Sequence, residues 1–466
     1  MGIFRYLIVL CLALTGCDVN TSQAQEKTVK QIAQTPTVNG VAGPVTLSTT
    51  PHFNAVHFGS HSHLNVLVKL QASEAKEKKR PPLDLAVVID TSGSMRGDKL
   101  RDSKRAALEL IETLRTEDRV TLIAYASNVN RLSHRLLVDN EGKETLRTLI
   151  MGLRSTGSTA LGPALFDAFS ALQTAESTMN LRHVILMSDG LANVGEKRPS
   201  VIGARAAAAF RAGISVSTMG VGLNYNEDLM TQVADQGGGR YHFIKDSAQI
   251  AGILGEELNG LVGTVARNVV LRFAGSDGVM LSKAFGYPVE RLGAESKVRI
   301  GFMGSKQVRE IMLRVALDPR TFNGIKSGSV SLGRVAVEYV DVAADSETKK
   351  IQAGIKVDVA SNAAASKKTE NQDVAIRMGE LEAANQMKIA ARDAESGNFK
   401  GARGSIQQAI DSLSVQYKQN RSPRLKKQLG ELKEAMVDVG SAAASPSARR
   451  SYTKKYKAKA YKQSKR

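Results

Sequence analysis

The sequence predicts an α/β protein: a doubly wound, mostly parallel sheet followed by a β-sandwich-like domain and a C-terminal helical region. Three observations carry that prediction. Between residues 83 and 261, continuous apolar runs of strand length alternate with segments of helical period. From 264 to 360, short β-rich runs follow one another with no helical period between them. From 371 to 440, helical periodicity dominates.

A chain of 466 residues exceeds one ordinary domain, and 42% hydrophobic residues supply more than one core. With no Trp and only 5% aromatics, there is little to build a base-stacking platform or an aromatic ligand groove. The two cysteines, Cys11 and Cys17, both lie at the N-terminus, so neither a disulfide nor a CxxC centre remains for the body of the chain.

The N-terminus reads as an address. Arg5 is a short positive region, residues 6–14 are apolar but too few to span a bilayer, and Leu14-Thr15-Gly16-Cys17 closes the stretch. That pattern resembles the bacterial lipobox. The resemblance implies a lipoprotein signal peptide over 1–17 and diacylation of Cys17. It also implies anchorage to a bacterial cell membrane, facing the periplasm or the cell exterior. Two acyl chains hold a protein firmly where one is marginal. An ordinary secretory signal with an incidental Cys17 is the alternative. Asp18 favours retention in the inner membrane of enteric-type bacteria. Residues 18–50, rich in Thr, Gln, Val, Asn and Ser, read as a flexible tether. Residues 51–82 hold one alternating strand at 64–70 and a charged linker ending in Pro81-Pro82.

From 83 the α/β pattern is regular. Leu83–Asp90 is an unbroken apolar run, as a strand buried on both faces requires. Residues 99–114 follow with Leu100, Ala107, Leu110, Ile111 and Leu114 near helical spacing. Strands are expected at 120–126, 183–188, 214–221 and 240–244, and helices at 161–172, 202–210, 227–234 and from 246 or 247 to about 261. The β-rich runs at 269–273, 298–302, 310–317, 330–342 and 351–359 suggest a sandwich. After an Ala/Ser/Lys linker at 362–369, breaks at 396–398 and 422–423 divide 371–440 into a helical hairpin or three-helix unit.

The chemistry concentrates at the ends of strands. The run at 83–90 empties into Asp90-Thr91-Ser92-Gly93-Ser94-Met95; in a doubly wound sheet, ligands bind at the carboxyl ends of the strands. Gly157-Ser158-Thr159 precedes the helix at 161, and Ser188-Asp189-Gly190 ends the strand at 183–188. This ordered set, D-x-S-x-S, then a Thr, then an Asp, resembles the metal-ion-dependent adhesion site of von Willebrand factor A domains, over about 83–261. The resemblance implies a cation site made of Asp90, Ser92, Ser94, Thr159 and Asp189, with hydroxyls on the ion and one or both carboxylates reaching it through water. Hard oxygen donors suit Mg²⁺, with Ca²⁺ or Mn²⁺ as alternatives. Neutral hydroxyls leave most of the ion's charge uncompensated, so a partner's Asp or Glu is the natural sixth ligand. Asp98, nearby, reads as first-turn helix charge rather than a ligand.

Enzyme readings fit less well. The strand is not followed by D-x-D, Asp90-Thr91 is not followed by Gly, and neither a G-x-S-x-G elbow nor a phosphate loop is present. No catalytic residues are therefore expected.

Two further features stand apart. His61-x-His63, in a run with His52 and His57, is either an exposed polar edge or a weak chelating pair. Much of the net charge of +19 sits in residues 441–466, read as a basic tail. There Arg449, Arg450, Lys454, Lys455, Lys457, Lys459 and Lys462 are either a solubilising run or a surface for anionic lipid, cell-wall polymer or an acidic protein face. Nucleic acid is not an expected partner of an exported chain. The function expected is thus a membrane-anchored, divalent-metal-dependent adhesion or assembly module that captures an acidic residue of a protein partner. The alternative is a structural envelope lipoprotein binding through its basic tail.

Overall fold

The computed structural model describes residues 38–75, 81–173, 180–322, 324–344 and 347–465. Cys17, Asp18 and the segment 1–17 read above as a signal peptide lie outside them.

The first strands are β1 (Val38–Ala42), β2 (Val45–Pro51), the two-residue β3 (Ala55–Val56) and β4 (His63–Ala72). Residues 38–51 are therefore not the tether expected from composition. Val45, Leu47, Thr49 and Pro51 turn inward on alternate positions of β2 and are buried, which holds that segment in a sheet.

The α/β domain then runs β5 (Leu83–Asp90), α1 (Asp98–Thr113), β6 (Arg119–Tyr125), β7 (Val129–Arg131), β8 (Leu136–Leu137), α2 (Asn140–Gly152), α3 (Leu161–Gln173) and β9 (Leu181–Ser188). It continues with α4 (Pro199–Arg211), β10 (Ile214–Val221), α5 (Glu227–Gln236), β11 (Gly238–Ile244) and α6 (Ile250–Val262). Strand order is β11-β10-β9-β5-β6-β7, with β7 and β8 antiparallel to β6 and the rest parallel. Every residue of β5 is buried because the strand is covered on both faces. Leu83, Leu85, Val87 and Ile89 pack with α1, α2 and α6, while Ala86 and Val88 pack with α3, α4 and α5. Each fully buried Val, Leu or Ile contributes roughly 1.5–3 kcal/mol. The doubly wound expectation holds.

The chain returns to the sandwich as β12 (Thr264–Gly275), β13 (Val279–Ala284), β14 (Glu290–Leu292), β15 (Glu295–Gly304) and β16 (Val308–Leu317). The short helix α7 (Pro319–Phe322), β17 (Ser329–Asp341) and β18 (Thr348–Val359) complete it. One sheet has the order β1-β2-β4-β16-β13 and the other β14-β15-β12-β17-β18-β3, and both feed a single core. Residues 264–360 are thus only part of the sandwich. β4 lies antiparallel to β16, His63 opposite Ala316 and Gln71 opposite Val308, so the α/β domain is inserted into a sandwich built from both sides of it.

After α8 (Ala363–Lys368) come four long helices: α9 (Gln372–Glu395), α10 (Phe399–Asn420), α11 (Pro423–Ala442) and α12 (Pro446–Ser464). They share one core, in which Tyr452, Tyr456 and Ala460 of α12 meet alanines of α9 such as Ala390 and Ala394. Two differences from the sequence reading follow. The helical unit has four helices rather than two or three, and 441–466 is not a solvated tail. Lys455 pairs with Glu434 and Asp438, Lys459 with Glu434, and Lys457 with Glu395. Lys454 is buried and donates to the carbonyl of Tyr225 at 2.8 Å, while Arg449 lies over the Phe399 ring. Of the seven candidate tail cations, only Arg450 and Lys462 are exposed; the others are half-buried or buried. The cations expected to meet an anionic surface are mostly spent inside the molecule. Among the described residues, no helix is long and apolar enough to cross a membrane.

α12 also docks on the α/β domain. Tyr461 Oη donates to Asp235 Oδ1 at 2.9 Å, and Lys454 and Lys457 approach Glu227 at 3.8 and 3.9 Å. Burial pushes the Glu227 carboxyl from 4.5 up to about 7, against the pull of Lys454, Lys457 and Tyr241. Between those two values folding takes up a proton, so this group's contribution is fullest below pH 4.5 and is lost as pH rises to about 7. A Glu227→Gln variant is neutral throughout. Its stability relative to the parent should therefore climb by roughly 1–3 kcal/mol across that window. Urea unfolding of both chains at pH 5 and pH 8 measures the difference; a constant offset would refute the assignment.

Candidate functional site

Three loops meet at the carboxyl edge of the central sheet, and backbone geometry explains why. Leaving β5, Thr91 donates from both its N–H (2.8 Å) and its Oγ1 (3.0 Å) to the Tyr125 carbonyl at the end of β6. Thr156 N–H donates to the Thr91 carbonyl at 2.8 Å, and Gly93 N–H to the Gly157 carbonyl at 3.1 Å, which fastens the second loop to the first. Gly157 sits at φ +68°, and a Cβ there would lie 2.5 Å from Ser127 Oγ, so only glycine fits. The third loop is fastened in turn: Thr159 N–H donates to Asn193 Oδ1 at 2.7 Å, and Asn193 N–H to the Thr159 carbonyl at 3.1 Å.

The side chains follow. Asp90 is fully buried; its Oδ1 accepts from Ser92 N–H and its Oδ2 from Ser188 Oγ, both at 2.8 Å. Burial pushes this carboxyl up, against those donors, and the nearby Asp189 adds to the rise. With both oxygens engaged, Asp90 braces the loop more than it reaches outward. Ser92 Oγ lies 3.1 Å from Ser94 Oγ, and Ser94 Oγ donates to Asp189 Oδ1 at 2.6 Å. A Cβ built on Gly190 would sit 3.2 Å from Thr159 Oγ1 and 3.4 Å from Ser94 Oγ, so a side chain there would fill the space those hydroxyls border. Ser92, Thr159 and Asp189 are buried, whereas Ser94 is exposed and gives the cluster its opening to solvent.

All five residues picked from the sequence, Asp90, Ser92, Ser94, Thr159 and Asp189, therefore come together. They fit a hard dication. Adjacent ligands of an octahedral ion with bonds near 2.1 Å stand about 3 Å apart, which is the scale of these oxygen separations. Among the described residues there is no group of three or more His, Cys, Asp or Glu arranged to hold a metal. A site here must rest on hydroxyls, and His61 and His63 gain no third donor. Asp98 is exposed and pairs with Arg101, away from the cluster.

Sequence reasoning missed Lys99. On the first turn of α1, its ammonium donates to the Ser94 carbonyl at 3.3 Å and forms an ion pair with Asp189 Oδ2. Its position five residues past Ser94 on an expected helix was the only available signal. Asn193, and Ser127, whose Oγ accepts from Ser158 N–H at 3.0 Å, also tie the loops and left none.

A doubly wound α/β domain with a hydroxyl–carboxylate cluster at the carboxyl edge of its sheet defines a class of ligand-binding domain. Residues 84–256 match the family model of the von Willebrand factor type A domain, and this part of the chain has that domain's fold. Domains of this type are mostly non-enzymatic modules of protein–protein interaction, and they commonly hold a divalent metal at such a site.

Among relatives, the chain is 30% identical over 204 residues to the uncharacterized protein YfbK of Escherichia coli K12, covering 43% of this chain and 35% of that one. It is 25% identical over 295 residues to the uncharacterized protein sll0103 of Synechocystis, covering 61% and 67%. The human inter-alpha-trypsin inhibitor heavy chain H3 is 30% identical over 159 residues, 33% of this chain and 18% of that one. The match thus spans about a third of YfbK and less of the inhibitor chain. In fold, a von Willebrand factor type A protein from Catenulispora acidiphila superposes with a TM-score of 0.67 at 18% identity, covering 87% of this chain and 90% of that one. The ArnB paralog VWA2 from Sulfolobus acidocaldarius gives 0.59 at 16% identity, covering 88% and 97%.

Proposed function

We propose that this chain is an adhesion or assembly module that grips a carboxylate of a protein partner through a divalent cation. The cation is Mg²⁺ in the first instance, with Ca²⁺ or Mn²⁺ as substitutes. Ser92, Ser94 and Thr159 would supply hydroxyl oxygens, and Asp90 and Asp189 would hold the ion and its waters. The ion supplies Lewis acidity toward a carboxylate oxygen. The observation that supports this reading most is the meeting of three separate loops: Ser94 Oγ stands within hydrogen-bonding distance of Ser92 and Asp189, and Thr159 Oγ1 borders the same space beside Gly190.

The lipobox-like segment ending in Cys17 supports a second element of the proposal: an acylated chain anchored to a bacterial membrane, with these domains facing the periplasm or the exterior and Asp18 favouring the inner membrane. The partner is a protein, not nucleic acid.

Capture from detergent-solubilised membranes of the native host, by the full chain on a support, tests the proposal. Specific partners should be retained in Mg²⁺, elute with EDTA, and fail to bind when Asp189 is replaced by Asn. Partners that remain through chelation, and bind Asp189→Asn equally, would exclude a cation-mediated grip.

A further inference from the structure

Beside the cluster lies a pocket of about 500 Å³, at the carboxyl ends of β10 and β11 and so on the same edge of the sheet. Lys99, Lys245, Asp246, Ser247, Gln249 and the backbone of Gly222 line it. We propose that this pocket receives a second carboxylate of the same partner segment, so that the ligand is an extended acidic-x-acidic stretch rather than a lone acid. The inference rests on the cation reading above and narrows it to a partner chemistry.

Charge comes first. Lys245 is exposed and has no ion pair among the described residues. Asp246 Oδ1 accepts from Ala248 N–H at 3.1 Å, and Ser247 donates to Asp102 Oδ2, so both polar neighbours are turned to their own framework. Lys99, Lys245 and the Gln249 side chain are left to face a ligand, and two lysines outweigh the single negative charge of Asp246.

Lys99 is shared between the two places. A Cβ on Gly222 would lie 3.4 Å from Lys99 Cε and 3.5 Å from Nζ, so the stem runs along the pocket wall while the ammonium reaches Asp189. A dication near Asp189 takes over the neutralisation of that carboxylate and repels the ammonium. The nearest place for it is the pocket it already lines, on a side chain with four rotatable bonds. Occupying the cation site thus leaves the pocket with two unpaired lysines.

Spacing comes second. Asp189 follows β9, and the pocket spans the ends of the next two strands, β10 and β11. Neighbouring strands stand about 4.8 Å apart, which puts the pocket roughly 5–10 Å from the cluster. In an extended peptide, side chains at i and i+2 point the same way and lie about 6.6 Å apart. Two acids separated by one residue match that span.

The test uses the full chain in saturating Mg²⁺ and labelled synthetic peptides read by fluorescence anisotropy. An Asp-Gly-Asp peptide should bind about fivefold tighter than Asp-Gly-Ala, the scale of one screened ion pair. It should also bind tighter than a peptide whose two acids are separated by four glycines. Lys245→Gln should remove the advantage while leaving Asp-Gly-Ala binding and calorimetric Mg²⁺ affinity unchanged. If Asp-Gly-Ala binds in a Mg²⁺-dependent way but the second acid adds nothing, or if the advantage survives Lys245→Gln, the pocket is refuted and the cation reading stands. If Mg²⁺ fails to bind, or binds with neither peptide following, both are refuted.

Discussion

Replacing Ser92 and Thr159 together by alanine should weaken Mg²⁺ binding by more than about a hundredfold, since outer supporting groups alone are worth 10- to 100-fold at metal sites. The Thr159 hydroxyl borders the space beside Gly190, the Ser92 hydroxyl lies 3.1 Å from Ser94 Oγ, and both residues are buried, so water has poor access to replace them as ligands. The cost to folding is small by comparison. Ser92 loses one hydrogen bond, to Ser94 Oγ, worth about 1 kcal/mol, while the backbone bonds that tie the loops, such as Thr159 N–H to Asn193, survive the change. Calorimetric titration of Mg²⁺ into parent and variant reads the affinity, and a melting curve without metal checks the fold. Superimposable titrations would mean that these hydroxyls hold no ion, whatever the family commonly does.

Truncation before Pro446 should destabilise the molecule severely. Tyr456 is fully buried, its hydroxyl donating to Asp438 at 2.7 Å, and Tyr452 and Ala460 flank it on the same stripe. Tyr456→Ala alone should cost about 3–5 kcal/mol, as large aromatic truncations in cores do. Losing all of α12 also strips Lys454 from the Tyr225 carbonyl and Tyr461 from Asp235 on the α/β domain, and Arg309 from the Lys465 carbonyl on the sandwich. Chemical denaturation of the two variants distinguishes this from a solvated basic tail. Were 446–466 such a tail, both would unfold with the parent's midpoint and lose only salt-sensitive adsorption to anionic vesicles.

The doubly wound core was legible because its strands are buried on both faces and its helices on one, patterns that survive in a single sequence at 83–90, 99–114 and 183–188. The site was legible for a related reason: Asp90, Ser92, Ser94 and Asp189 sit at or just past strand ends whose neighbours are apolar, and Thr159 stands just before an apolar helix. The two failures share a cause. In β2 the inward positions include Thr49 and Pro51, and in α12 the stripe Tyr452, Tyr456, Ala460 runs at i, i+4, i+8 among lysines. In both, composition outweighed periodicity. Long lysine side chains cover apolar surface with their stems and pair at their tips, so a basic run is compatible with a buried helix. Nothing local marks that β4 pairs with β16, because that contact joins residues some 250 positions apart. Lys99 escaped notice because a lysine on a helix's first turn reads as solvated until a carboxylate is seen opposite it.

The insertion between β4 and β12 has a kinetic side. Everything from 73 to 263 must be synthesised before β16 exists to pair with β4, so the sandwich is a late structure and the α/β domain an early one. Were those residues still a coil when the strands met, closing so long a loop would carry a large entropic cost. A domain that folds first brings its own two ends together and removes most of that cost. A defect in the α/β core should therefore surface as slow or failed assembly of strands that touch none of the altered residues.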